Sequence, residues 1–405
     1  MKEIVGGVTA VQGFTAAGVA AGLKKNGNKD MALVFSDVDA TVAGVFTTNV
    51  VKAAPVQRNI ELLKNNETAR GVILNAGNAN ACTGEPGKKA DAAMAKAAAD
   101  ALGVATDSIL TCSTGVIGQL LPTDTVVKGA DMLAKALSKD GGSIAAEAIM
   151  TTDTYKKESA VEVLIGGKTV TIGAMTKGSG MIHPNMATML CVTATDVSMS
   201  KELLQEAISG VVEKSFNMIS VDRDTSTNDS YIVLANGKAG NARITEKNED
   251  YQAFYEALEY VAIDLAKKMA ADGEGATKLI EAKVINAATY EDARVLSKSI
   301  ITSNLVKAAV FGSDANWGRI ICAMGYSGVS FNPDIIDFYI ESEAGKVKVA
   351  ENSLATDYSE EFATEILSGK AITITADMKA GTSEATAWGC DLTYDYVKIN
   401  GDYRS

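Results

Sequence analysis

The sequence predicts an α/β layered sandwich. Three observations carry this. Short apolar runs of strand character recur along the chain, and helical periodicities separate many of them. The 47% hydrophobic content, with only five prolines in 405 residues, supplies a sizeable core. At this length two or three domains are expected.

Along the chain, the stretch from Val5 to Leu23 is free of charge. Glu3 offsets Lys2, while glycine, threonine and Gln12 dilute the apolar character below that of a signal peptide or a membrane span. No arginine precedes Arg58, which argues against a transit peptide, so the segment reads as folded, soluble protein. Strands are expected at Met31–Phe35, Val42–Phe46, Gly71–Asn75, Ser108–Cys112, Val161–Ile165, Thr169–Met175 and Met189–Ala194. Further strands follow at Tyr231–Ala235, Asp337–Ile340, Ala371–Ala376 and Ala385–Ile399. Pro86–Leu102 is an alanine-rich helix with Gly103 at its terminating position. Ser200 is placed as the N-cap of a helix carrying Leu204, Ile208, Val211 and Ser215 on one side. Phe254, Leu258, Val261, Leu265 and Met269 form the apolar stripe of a longer helix ahead of Gly273. From about Lys278 the pattern becomes a helix and then several strands, so the boundary is set between a domain over 1–278 and a smaller one over 279–405. Thr47–Ala54 echoes Thr302–Ala309, by chance or as a trace of duplication.

A net charge of −12 argues against a nucleic-acid or anionic-membrane surface, which needs a basic face. A small-molecule partner is the better expectation. The five cysteines (Cys82, Cys112, Cys191, Cys322, Cys390) are odd in number, scattered, and without a CxxC pair. They read as reduced, mostly buried thiols of a cytoplasmic protein. His183 is the single histidine, so two- and three-histidine metal sites are excluded, and no metal is expected.

The chemistry concentrates in Lys177-Gly-Ser-Gly-Met-Ile-His-Pro-Asn-Met-Ala-Thr188 and the apolar strand that follows. A glycine-rich loop runs into the small residue Ala187 and then into Thr188. Cleavage between them would expose Thr188 as an N-terminal nucleophile. Its α-amine, with a pKa of roughly 7.7–8.0, can then act as base for its own hydroxyl, with neither histidine nor metal. Elsewhere, Thr114-Gly115 at a strand end is either an ordinary turn or an oxyanion pocket. Glu274, between Gly273 and Gly275, is either a solvated loop residue or the acceptor for a cationic substrate end. The run Asp222–Asp229 fits metal binding or turn and capping chemistry. The chain end, rich in aromatic and β-branched residues, is expected to be docked.

These segments, in order, make the chain resemble the ornithine acetyltransferase (glutamate N-acetyltransferase) family of arginine biosynthesis. They are Asn75–Gly84, Ser113–Gly118, Thr151–Thr154, Lys177–Ile182, Pro184–Leu190, Asp224–Asp229, Asn316–Arg319 and Ala387–Thr393. The resemblance spans essentially the whole chain. It implies a four-layer αββα sandwich with a smaller C-terminal α/β domain, and self-cleavage into chains 1–187 and 188–405 that stay together as a dimer of αβ units. It also implies that Thr188 is the nucleophile and that Thr114 and Gly115 form the oxyanion hole. Thr151, Lys177, Thr188, Glu274, Asn400 and Ser405 would then be substrate contacts. The expected reaction moves the acetyl group of N2-acetylornithine to glutamate through an acetyl-Thr188 ester, without a cofactor. Acetyl-CoA is a further candidate donor. Two departures stand out: Arg223 where the family usually has glycine, and Arg404 where it usually has threonine. The alternatives are an N-terminal-nucleophile amidohydrolase, which would release acetate to water, and a non-catalytic amino-acid-binding protein.

Overall fold

The computed structural model describes residues 1–183 and 189–401. In chain order the first half supplies β1 (Lys2–Glu3), β2 (Phe14–Val19), β3 (Met31–Phe46), β4 (Thr68–Asn78) and β5 (Ile109–Val116). It continues with β6 (Lys157–Ile165), β7 (Lys168–Lys177), β8 (Leu190–Thr195), β9 (Ile219–Ser220) and β10 (Ser230–Ala235). The helices among them are α1 (Ala54–Asn65), α2 (Gly84–Leu102), α3 (Thr123–Ala136), α4 (Gly142–Ala148), α5 (Lys201–Lys214) and α6 (Glu249–Ala271). All of these strands except β9 form one sheet in the order β1-β6-β7-β8-β10-β3-β4-β5, with β2 also paired to β3.

Alternation of side chains along β3 turns this sheet into two layers. Its early residues lie between β2 and β4, while Thr41–Phe46 pairs with β10. Ala32, Val34, Ala40 and Val42 all face a central core, shared with Leu74, Leu110, Val192 and Ile232. The opposite face changes partners along the strand. Met31 and Leu33 pack with Met94 and Ala98 of α2 and Val126 and Leu133 of α3. Ala43 and Val45 join Leu204 and Ile208 of α5 and Phe254 and Leu258 of α6. Period-two alternation thus separates three cores and stacks helix, sheet, sheet and helix. This is the expected αββα sandwich.

The second half contributes β11 (Leu279–Ala287), β12 (Asp337–Ser342), β13 (Gly345–Glu351), β14 (Leu354–Ala355), β15 (Ala371–Asp377) and β16 (Ser383–Cys390). With β9 they form a seven-stranded sheet in the order β14-β13-β12-β15-β11-β16-β9. Helices α7 (Tyr290–Thr302), α8 (Asn304–Phe311), α9 (Trp317–Gly325), α10 (Glu360–Leu367) and α11 (Tyr394–Gly401) complete the chain.

The helix signals are found where their residues place them. Gly103 ends α2 at φ 66°, a left-handed position that glycine takes without steric cost. Ser200 Oγ accepts from the Leu203 N–H at the start of α5. Four expectations need correction. Met31–Phe35 and Val42–Phe46 are one strand, because the residues between them bend through a register shift against β4 instead of turning back. Thr114 and Gly115 are the closing residues of β5, not a turn beyond it. A strand, β11, precedes the helix after Lys278. The long C-terminal strand stops at Cys390. Thr393 Oγ then accepts from the Tyr396 N–H, and this cap starts α11 despite the strand propensity of Tyr396, Val397 and Ile399. Among the described residues no helix is long and apolar enough to cross a membrane.

Candidate active site

The site forms where the ends of β4, β5, β7 and β8 meet the loop after α6. Lys177 ends β7, pairs in register with Leu190 at the start of β8, and is buried. Its Nζ donates to Thr114 Oγ at 3.1 Å, so strand ends far apart in sequence join in one polar contact. Burial lowers the Lys177 pKa from the usual lysine value, against the pull of Asp153, Asp229 and Glu274. The next residue on β5, Gly115, has φ +132°, and an added Cβ would lie 2.3 Å from the Gly77 carbonyl carbon on β4. Only glycine fits there. Behind the pair, Ser113 Oγ donates to Asn75 Oδ1 at 2.6 Å, and Asn228 Nδ2 donates to the Ser113 carbonyl at 2.8 Å.

Glu274 closes the opposite side. Its N–H donates to the Ser179 carbonyl at 2.9 Å, and its buried carboxylate lies where a Cβ on Gly180 would fall, within 2.3–2.4 Å. Gly275 has φ +70° and packs against the backbone at Tyr396. Asn400 of α11 donates from Nδ2 to Glu274 Oε2 at 2.7 Å, so α11 is docked on the site. Thr151 is held by its N–H to Asp153 Oδ2 at 3.0 Å. It lines a pocket of 480 Å³ with Gly77, Asn78, Lys24 and Leu120.

A network not anticipated from the sequence ties these pieces together. Lys157 Nζ lies 2.6 Å from both Asp153 Oδ1 and Asp272 Oδ2, with all three side chains essentially fully buried. Asp153 also accepts the Gly178 N–H at 2.8 Å, directly after Lys177. Asp272 accepts the Thr154 N–H at 3.0 Å and immediately precedes Gly273-Glu274. Burial alone would raise the Asp153 pKa, but Lys157 and Lys177 outweigh it and hold the carboxyl below its usual range. In sequence Lys156-Lys157-Glu158 looks like a solvated charge run, and no local signal sets Lys157 apart.

The Asp222–Asp229 run takes the turn and clamp reading. Asp222 accepts the N–H groups of Met181 and Ile182 at 2.6 and 2.9 Å, and Thr225 Oγ donates to the His183 carbonyl at 2.9 Å. Among the described residues no group of three His, Cys, Asp or Glu side chains is arranged to hold a metal ion. Asn316-Trp-Gly-Arg319 is a helix start, with Asn316 Oδ1 accepting the Arg319 N–H at 3.2 Å. Ala187, Thr188, Arg404 and Ser405 lie outside the described residues. Thr114, Gly115, Lys177, Glu274 and Asn400 fall on facing strand and loop ends, and Thr151 joins them through Asp153.

A family model described as the ArgJ family matches residues 15–405. The chain belongs to the ArgJ family. The arginine biosynthesis bifunctional protein ArgJ of Caldanaerobacter subterraneus subsp. tengcongensis is 52% identical over 405 residues, all of both chains. That of Symbiobacterium thermophilum is 53% identical over 411 residues, again covering both chains completely. The crystal structure of the protein of the same description from Bacillus halodurans is 46% identical and superposes with a TM-score of 0.50. That match covers 52% of this chain and 98% of the crystallised one. Membership gives this chain the family's acetyl-transfer role in arginine biosynthesis, and it is an acyltransferase acting on small molecules.

Proposed function

We propose that cleavage between Ala187 and Thr188 frees the α-amine of Thr188, and that Thr188 Oγ then carries the acetyl group from N2-acetylornithine to glutamate. An acetyl group held in an amide is a poor acyl donor, so covalent catalysis divides one slow step into two easier ones. Oγ attacks the acetyl carbonyl while the α-amine takes its proton, and that proton passes to the departing ornithine nitrogen. Glutamate then attacks the ester by the reverse sequence. Thr114 and Gly115 hold the oxyanion in both halves. Lys177 receives a substrate carboxylate, and Glu274 with Asn400 receives the ornithine side-chain ammonium. Cleavage uses the same hydroxyl on the Ala187 carbonyl, followed by water. No cofactor is needed. Acetyl-CoA serves as a second donor to glutamate, in keeping with the word "bifunctional" in the names of the relatives. The enzyme works in the cytoplasm, as a dimer of two-chain units of the kind the family resemblance implies.

The observation that carries this reading is the Lys177–Thr114 contact of 3.1 Å, with Lys177 in register against Leu190, two residues beyond Thr188. It brings a cation and the end of β5 beside β8, the strand that follows Thr188 in sequence. Intact mass of purified protein tests it, with Thr188→Ala as control. The expected result is two fragments in the wild type, the second beginning at Thr188, and one uncut chain in the variant. A single wild-type chain would remove the base on which the mechanism depends. Initial-rate lines with the two substrates should be parallel; intersecting lines would exclude the covalent intermediate.

A further inference from the structure

A buried acid outside the roles assigned so far lies beside the start of β8. Asp229 is 2% exposed, and its Oδ2 has no hydrogen-bond partner among the described residues. Buried carboxylate oxygens are normally hydrogen-bonded, so this one calls for a partner. Burial raises its pKa well above the ordinary carboxylate value, so the acid ionises readily only when a cation stands beside it.

Its described neighbours leave Oδ2 without a hydrogen bond. Lys177 of β7 is the charged group facing it, while Ser226 on its own connection and Thr47 at the end of β3 face it with hydroxyls. Lys177 Nζ is committed to Thr114 Oγ and leaves Oδ2 unbonded. Beyond Lys177 lie Asp153 and Glu274, which act on that lysine.

Strand register says where the missing partner comes from. Lys177 pairs with Leu190 across β7 and β8, and Leu190 pairs with Ser230 across β8 and β10. The Ser230 N–H donates to the Met189 carbonyl at 2.8 Å. Asp229, one residue before Ser230 on a parallel strand, is therefore level with Met189, the residue bonded to Thr188. The uncut chain has only an amide N–H at Thr188; cleavage replaces it with an amine that becomes an ammonium when it takes the Oγ proton. We propose that Asp229 is a positioning residue for the α-amine of Thr188, accepting its N–H after cleavage and holding it as the base for Oγ. In the attack step the proton leaves Oγ for the amine nitrogen, the resulting ammonium donates to the Asp229 carboxylate, and the proton then goes to the leaving amine.

The inference rests on the reading of Thr188 above, and the test separates the two. Asp229→Asn and the smaller Asp229→Ser are compared with wild type by intact mass and by the pH profile of kcat/KM for acetylornithine. A neighbouring carboxylate raises an amine's pKa, so its removal should move the acidic limb to lower pH by about one unit. The weaker base should also lower kcat roughly tenfold or more. A purely structural defect would lower the rate and leave the limb in place; in cleaved variants that result overturns the proposal. Variants that stay uncut while wild type is cut also overturn it, since Asp229 would then be needed before the amine exists. A wild type that stays uncut brings down the Thr188 reading itself.

Discussion

Replacing Lys157 with methionine keeps the side-chain length and removes the cation shared by Asp153 and Asp272. Both carboxylates then remain buried, 0% and 3% exposed, without their counter-charge. Removing one partner of a buried ion pair costs about 3–5 kcal/mol, chiefly because the charge left behind has no compensation. An unfolding entropy of about 2.1 cal/mol/K per residue corresponds to roughly 0.85 kcal/mol/K for this chain length, so Tm should fall by about 4–6 °C. Calorimetry on the intact protein measures this. The same variant loosens Asp153, which holds both Thr151 and Gly178, so KM for the acetyl donor should rise as well. A Tm within about 1 °C of wild type, with an unchanged KM, would refute the view that this triad fixes the site.

Glu274→Gln removes the charge expected to hold the ornithine side-chain amine. At about 1.5–3 kcal/mol for a charged hydrogen bond, KM for acetylornithine should rise roughly 10- to 150-fold, and an unchanged KM would sink the assignment. Gly115→Ala forces a Cβ to within 2.3 Å of the Gly77 carbonyl carbon. Displacing this proposed oxyanion donor should cut kcat by roughly 100-fold or more in steady-state assays. Arg223 occupies φ 72°, where the family usually has glycine. The left-handed strain of about 1–2 kcal/mol exceeds glycine's entropic cost of about 0.5–1 kcal/mol, so Arg223→Gly should raise the denaturant midpoint; a fall would contradict this. Burial pushes the His183 pKa down to about 4, from an ordinary 6.5. The folded state keeps this ring neutral while the unfolded chain protonates, so its contribution to stability is complete above pH 6.5 and is lost as pH falls toward 4. Thermal melts of His183→Gln over that window should show a shallower slope than wild type.

The sequence showed the groups proposed to touch substrate more clearly than the scaffold that holds them. Thr114, Lys177 and Glu274 stand in polar or glycine-flanked segments, where chemistry leaves a local mark. Asp153 and Asp229 fell inside segments already singled out, but their tasks depend on what burial and strand register bring near them. Lys157 and Asp272, 115 positions apart, become partners only in the folded chain. The helices were legible through their caps, as at Ser200 and Gly103. The end of β16 was not, because a single threonine cap at Thr393 outweighed three residues of strand propensity. The unity of β3 was equally hidden, since two apolar runs separated by polar residues look alike whether the chain turns or bends.

Strand order has a consequence for the proposed processing. Along the sheet the order β7, β8, β10, β3 encloses one origin within the other: β7 and β3 come from before Thr188, while β8 and β10 between them come from after it. A cut at that point therefore leaves the β8–β10 pair of the second fragment gripped on both flanks by hydrogen-bond ladders to the first, much as a tongue sits in a groove. The pieces cannot part by sliding, because both ladders must break together. Once they have parted, reassembly becomes a meeting of two molecules and slows with dilution. The lifetime of the enzyme so processed would then be set by how rarely it opens, a barrier and not an equilibrium.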